Sequence, residues 1–164
     1  MVSHLYIVRH GIAVPHGTPG VTESQRPLTP KGESRVHDIA RALERLDLEL
    51  QRIVTSPLPR AYRTAEILAE RLTPETPLQV DDALSAGAPP RALRDWLATR
   101  REDRLMIVGH NPDFTELVAL LTHMDPPPFD LKKGGVAALE AEPGGGYALE
   151  WLATPGLIRK LAGE

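Results

Sequence analysis

The sequence predicts a single α/β domain over residues 1–164, with a mainly parallel sheet, helices on both faces of that sheet and an antiparallel edge. Its length of 164 residues suits one domain and leaves room for a buried core. Strand-like and helix-like segments alternate along most of the chain, as is typical of a parallel sheet covered on both sides. The last two strand-like segments are separated by Pro143 and three glycines, a connection that favours a hairpin.

Composition excludes several classes of protein. The chain is 41% hydrophobic and 25% charged, as in ordinary globular proteins. It contains no cysteine, which excludes a disulfide scaffold, a thiol nucleophile and a thiolate metal site. A net charge of -3 argues against partners such as nucleic acids or acidic membranes. No apolar run is long enough for a membrane span or a signal peptide, so we expect a cytoplasmic protein.

The first half of the chain is predicted to hold two strands, each followed by a helix. The apolar run Leu5–Val8 predicts a buried strand, which leads into a loop rich in proline and glycine. Thr29-Pro30 suits the N-cap and first position of a helix whose apolar face extends to Leu46. Arg52–Thr55 is predicted as the second strand, and Ser56-Pro57 repeats the cap-and-proline signal before a second helix.

The second half continues the alternation and closes with the hairpin. The predicted elements are a short strand at Leu78–Val80, a helix around Arg91–Ala98, a strand at Arg104–Val108, a helix capped by Asn111-Pro112, and hairpin strands at Gly135–Glu142 and Tyr147–Ala153. Ligands of such sheets bind beyond the carboxyl ends of the parallel strands. The residues that directly follow the strands are therefore the candidates for function.

Three polar segments follow predicted strands: Arg9-His10-Gly11, residues 56–60, and His110. Two histidines at one sheet edge could hold a metal, act as acid and base, or act as nucleophile and helper. The metal interpretation lacks a third ligand and places the cation of Arg9 beside the site. Arg60, in the first turn of a helix whose amide groups attract anions, favours a phosphate site instead. The alternative is that Arg60 and Arg63 cover a solvated helix face.

Together, three motifs resemble the histidine phosphatase superfamily. They are Arg9-His10-Gly11, Ser56-Pro57-Leu58-Pro59-Arg60-Ala61 with Thr64-Ala65-Glu66, and Gly109-His110-Asn111-Pro112. The short length and the stretch from Arg26 to Gly32 are similar to the SixA-type phosphohistidine phosphatases. This resemblance implies a phosphoglycerate mutase-like fold without the large helical insert of other members.

The resemblance also implies roles for single residues. His10 would be the nucleophile that forms a phosphohistidine intermediate, and water would then hydrolyse that intermediate. Arg9, Arg60 and His110 would bind the phosphoryl oxygens and stabilise the transition state. Gly11, Arg26 and Asn111 would complete the substrate-binding site. A neutral imidazole needs no metal to act as a nucleophile near pH 7, so no metal and no cofactor is expected.

The expected proton donor is Glu23, which precedes Arg26 by three positions. Many relatives place a glutamate where this chain has Leu84-Ser85-Ala86-Gly87, and others place an aspartate where it has Asn111. Glu23 could equally be a solvated loop acid, which would leave His16, Asp113 or bulk water as the proton source. Because an imidazole leaves more readily than an alkoxide, a weak donor favours phosphohistidine as the substrate.

The sequence thus predicts a metal-independent phosphatase whose partner is a phosphorylated substrate, most simply a histidine-phosphorylated protein domain. No nucleic-acid or membrane partner is expected. Two alternatives stay open at this point: a small-molecule phosphomonoesterase acting on a sugar or nucleoside phosphate, and a phosphate-binding module without catalysis. The pair Lys132-Lys133 is interpreted as a solvated loop end that could also meet an anionic partner.

Overall fold

The computed structural model describes residues 1–163. The strands and helices follow one another as β1 (His4–Arg9), α1 (Pro30–Glu44), β2 (Arg52–Thr55), α2 (Pro59–Leu72), β3 (Gln79–Val80), α3 (Pro90–Ala98), β4 (Arg104–Gly109), α4 (Asp113–Thr122), β5 (Val136–Ala141), β6 (Tyr147–Ala153) and α5 (Pro155–Leu161). Short 3₁₀ turns lie at Glu23–Gln25 and Asp82–Leu84. Within residues 1–163, no helix has the combination of length and apolarity needed to cross a membrane.

The strands form one sheet in the order β3-β2-β4-β1-β5-β6. The first four strands of this order are parallel, and β5 and β6 run antiparallel at one side. The fold-class prediction is therefore confirmed, including the hairpin. The strands β1 and β4 are neighbours, with Arg9 opposite Gly109, so the residues after each strand emerge side by side.

Helices cover both faces of the sheet because side chains alternate along each strand. Tyr6 and Val8 of β1 pack in one core, with apolar residues of α1, α2 and α5. Leu5 and Ile7 pack in the other core, with apolar residues of α3 and α4. Both cores leave the carboxyl ends of the parallel strands uncovered, and the polar segments lie there.

Two local predictions were wrong, and one helix was not predicted. Helix α2 begins at Pro59 with Leu58 as its N-cap, so Ser56 caps no helix; instead its Oγ accepts a hydrogen bond from the Leu58 amide at 3.2 Å. Helix α5 was not predicted, although Thr154 caps it through a hydrogen bond from the Leu157 amide. Helix α1 ends at Glu44, and Leu46 is exposed because the chain leaves the core after the helix.

Candidate phosphate site

The two strand-end histidines lie beside one another. His10 follows β1 and His110 follows β4, and their ring centroids are 5.4 Å apart. The backbone amide of His10 donates to the Gly109 carbonyl at 3.0 Å, which extends the pairing of the two strands by one residue. Both side chains are buried, with 5% and 2% of the residue surface exposed. Parallel pairing therefore produces the juxtaposition that the sequence predicts.

A single hydrogen bond sets the tautomer of His10. Its Nδ1 lies 2.7 Å from the Gly11 carbonyl oxygen, which accepts hydrogen bonds and cannot donate, so Nδ1 carries the proton. Burial lowers the pKa of His10 to about 3, and the charges of Arg60 and Arg9 act in the same direction. The ring is neutral at physiological pH, and its lone pair is on Nε2, which has no hydrogen-bond partner within residues 1–163.

The turn after β1 is packed rather than open. The Gly11 amide donates to Thr64 Oγ1 at 3.0 Å, and this hydroxyl donates to the Arg60 carbonyl at 2.7 Å. A Cβ on Gly11 would lie 2.8 Å from Val36 of α1. The family resemblance places Gly11 in the substrate-binding site. The structure gives a different reason for the glycine, since it lets the turn pack against α1.

Two arginines flank the histidines, Arg60 buried and Arg9 half-buried. Arg60 is 3% exposed, and its Nη1 donates to the Glu23 carbonyl at 3.0 Å. Nη1 of Arg9 donates to the Leu131 carbonyl at 2.9 Å. Burial lowers the pKa of both guanidinium groups. The Nε atoms of both are buried and have no partner within residues 1–163, so each side chain keeps an unused donor.

The interpretation that Arg60 and Arg63 cover a solvated helix face has a different outcome for each residue. Arg60 is buried at the site and covers no solvated face. Arg63, one turn further along α2, is paired with Glu33 at 2.5 Å and with Glu66 at 2.8 Å. The solvated-face interpretation is therefore wrong for Arg60 and fits Arg63.

Glu23 is held as a carboxylate. Arg26 donates two hydrogen bonds to its side chain, from Nε at 2.9 Å and from Nη2 at 2.8 Å, and His16 Nδ1 also contacts the carboxylate. Arg60 Nη2 lies 3.6 Å from the same carboxylate. The bonds from Arg26, followed by that from His16, lower the pKa of Glu23 to about 2. A proton donor must be protonated before the reaction, so this arrangement does not support the predicted role of Glu23.

Arg26 lies close enough to the histidines for its charge to act on His110. Its Nη1 donates to the Val14 carbonyl at 3.0 Å, which ties the two ends of the loop after β1 together. Its charge lowers the pKa of His110, which falls to about 4 mainly through burial, with Arg60 as the next contributor. His110, like His10, is therefore neutral at physiological pH.

Asn111 is hydrogen-bonded within the fold. Its Nδ2 donates to Asp130 Oδ1 and to the Leu131 carbonyl, both at 2.9 Å. Its Oδ1 accepts from the amide and the hydroxyl of Thr115 in α4. Because every polar group of the amide is engaged, the predicted substrate contact of Asn111 is not supported.

The structure adds contributors that the sequence analysis did not assign. Ser56 Oγ lies 2.7 Å from His110 Nε2. Leu131 accepts from Arg9, and the Gly134 amide donates to the carbonyls of Arg9 and His10 at 3.0 Å, so the loop before β5 supports the turn after β1. Lys132 and Lys133 are exposed on this loop. The glycine pair Gly134-Gly135 is the sequence feature that could have predicted this close packing of the loop against the turn after β1.

Comparison with known proteins agrees with this geometry. Residues 5–85 match the model of the histidine phosphatase superfamily, branch 1. An uncharacterized protein of Picosynechococcus sp. is 37% identical over 141 residues, which cover 84% of each chain. The protein histidine phosphatase SixA complexed with tungstate has the same fold, with a TM-score of 0.82 and 24% identity over 93% of this chain and 97% of that one. A mycobacterial glucosyl-3-phosphoglycerate phosphatase with VO3 gives a TM-score of 0.73 and 18% identity over 93% and 100%.

Proposed function

Since the chain belongs to the histidine phosphatase superfamily, a membership that supports phosphatase activity, we propose that it removes phosphoryl groups from phosphohistidine on a protein partner. The observation that carries the proposal is the Nδ1 hydrogen bond of His10 to the Gly11 carbonyl at 2.7 Å. This bond keeps the proton on Nδ1 and the lone pair on Nε2, and burial keeps the ring neutral, which together give the form that a nucleophile needs.

In the first step, Nε2 of His10 attacks the phosphorus atom and the bond from phosphorus to the substrate nitrogen breaks. The phosphoryl group is then bonded to His10, and the substrate imidazole leaves. In the second step, water attacks the phosphorus atom, the bond to Nε2 breaks, and phosphate is released. His10 returns to its starting form, so each cycle consumes one water molecule.

The transferring phosphoryl group carries negative charge on its equatorial oxygens, and the site is rich in fixed positive charge. Arg60 is buried and Arg9 is half-buried, and the buried Nε of each is an unused donor. We assign them, with Arg26, to the phosphoryl oxygens, where preorganised donors are most effective. Because these guanidinium groups supply the positive charge, catalysis needs no metal ion.

The choice of phosphohistidine rests on the leaving group. Glu23 is ionised and paired with Arg26, and Asp113 Oδ2 accepts the backbone amides of Gly87 and Ala88 at 2.8 and 3.2 Å. Glu23 is therefore not available as an acid in this arrangement, and Oδ2 of Asp113 is occupied by the two backbone amides. A substrate imidazole can accept a proton from water on its other nitrogen before the bond breaks, so it leaves as a neutral ring. An alkoxide has no such route, which favours phosphohistidine over alkyl phosphates.

The test compares three substrates: a histidine-phosphorylated protein domain, p-nitrophenyl phosphate and a panel of sugar and nucleoside phosphates. We expect the phosphoprotein to have the highest kcat/KM and the alkyl phosphates the lowest. His10→Ala should abolish turnover of all of them, and His37→Ala, on the exposed side of α1, is the matched control. Inhibition by tungstate and full activity in EDTA are also expected.

Each alternative has its own outcome. A highest kcat/KM for one sugar or nucleoside phosphate would replace the phosphoprotein with a metabolite as substrate. The mycobacterial enzyme that acts on glucosyl-3-phosphoglycerate shows that a protein with this fold can use such a substrate. Tight binding of phosphate without turnover of any substrate would indicate a phosphate-binding module. Loss of activity in EDTA that Zn²⁺ or Mg²⁺ restores would contradict the metal-independent mechanism.

A further inference from the structure

Ser56 occupies a position that its sequence context does not explain. It follows β2 and is fully buried, and its amide donates to the Val108 carbonyl of β4 at 3.0 Å. Its hydroxyl accepts a hydrogen bond from the Leu58 amide and lies 2.7 Å from His110 Nε2. The hydroxyl therefore faces the second histidine of the site, with its own proton still to be placed.

The donors and acceptors around the Ser56 hydroxyl indicate which of Ser56 Oγ and His110 Nε2 donates the hydrogen bond between them. If Nε2 of His110 carried the proton, Ser56 would accept twice and its own proton would have no acceptor within residues 1–163. If Ser56 donates to Nε2, its hydroxyl uses both its donor and an acceptor site. Buried polar groups are overwhelmingly paired, so the second arrangement is preferred. In that arrangement the proton of the neutral His110 ring is on Nδ1.

Nδ1 of His110 is buried and has no hydrogen-bond partner within residues 1–163. The charged groups that act on this ring are Arg60 of α2, Arg9 of β1, and Arg26 and Glu23 of the loop after β1. The guanidinium groups disfavour a second proton on the ring, so a hydrogen on Nδ1 makes it a neutral donor. The opposite tautomer would present a lone pair, which repels a phosphoryl oxygen.

We propose that Ser56 is a positioning residue: its hydroxyl proton fixes His110 in the tautomer whose Nδ1 donates a hydrogen bond to a phosphoryl oxygen. The assignment of that acceptor rests on the proposed function, whereas the tautomer itself does not. Ser56 thus acts on the substrate through His110. The same hydroxyl would be needed for any phosphorylated substrate, because its role concerns the phosphoryl group alone.

The tautomer can be measured without substrate. In protein labelled with ¹⁵N-histidine, the ring nitrogens of His110, assigned by their loss in His110→Asn, should show a protonated Nδ1 and a bare Nε2 at neutral pH. In Ser56→Ala this pattern should change to a mixture of the two tautomers. The matched control is Thr55→Val, which removes the neighbouring buried hydroxyl that donates to the Ser56 carbonyl and should leave the tautomer as in the wild type.

A second readout tests the consequence for anion binding. Ser56→Ala should weaken inhibition by orthovanadate in proportion to the fraction of His110 rings that lose the Nδ1 proton, about twofold for an equal mixture of the two tautomers. Thr55→Val should change it little. A protonated Nε2 in the wild type would overturn the proposal. An unchanged His110 tautomer in folded Ser56→Ala would overturn it too. Activity without the predicted tautomer would leave the proposed function intact, so the two can fail separately.

Discussion

Replacing His10 with asparagine should change how the stability of the protein depends on pH. The folded ring has a pKa of about 3, against 6.5 in the unfolded chain. Between these values the unfolded state binds a proton that the folded state does not, so stability is complete above pH 6.5 and is lost as the pH falls. At about pH 5 the difference of roughly 1.5 units corresponds to about 2 kcal/mol of lost unfolding free energy.

The assay is urea unfolding in phosphate-free buffer at about pH 8 and about pH 5. Between these conditions His10→Asn should lose about 2 kcal/mol less stability than the wild type, because its amide does not titrate. His37→Asn removes an exposed histidine of α1 and should behave as the wild type. If His10→Asn keeps the full pH dependence of the wild type, the pKa of His10 in the folded state lies near 6.5, and the argument that burial keeps the ring neutral at lower pH is refuted.

Three further predictions concern single side chains. Arg60→Ala should lower kcat/KM for p-nitrophenyl phosphate by about 10²–10³, because one transition-state donor is lost; Arg63→Ala, on the same helix but paired outside the site, should stay near the wild type. Glu23→Gln should slow the hydrolysis of alkyl and aryl phosphates by similar factors, because the carboxylate holds Arg26 and donates no proton. A loss of about 10²–10⁴ confined to alkyl phosphates would instead identify Glu23 as the acid. Gly109→Ala should destabilise the fold by about 1–3 kcal/mol in thermal unfolding, because its Cβ would lie 2.6 Å from the ring of Phe114 in α4. Gly156→Ala is the control and should not lower stability in this way, because its Cβ would meet no atom within 4 Å.

Local patterns were sufficient for the main architecture. Apolar runs and cap-and-proline signals located β1, β2, β4 and the main helices, and the glycine-rich connection located the hairpin. These signals report on neighbouring residues, which is why the start of α2 was displaced by a few positions. Ser56-Pro57 and Leu58-Pro59 are both plausible helix starts in sequence, and the choice depends on what Ser56 contacts elsewhere.

The sequence by itself determined which residues meet at the sheet edge. His10 and His110 follow strands that are parallel in any such fold, and parallel strands deliver the residues after them to one side. The motif order also identified the family, since those residue types at those positions form a phosphoryl site. Neither conclusion required the path of the intervening loops.

Tertiary structure alone decided the protonation states of the site and the roles of the residues around the histidines. Glu23 is a carboxylate because Arg26 and His16 surround it, and Asn111 is engaged because the loop at Leu131 returns to it. Ser56 meets His110 across 54 residues of chain. The physical reason is that a pKa or a tautomer depends on burial and on partners a few ångströms away in space, and those partners come from segments that the local sequence does not specify.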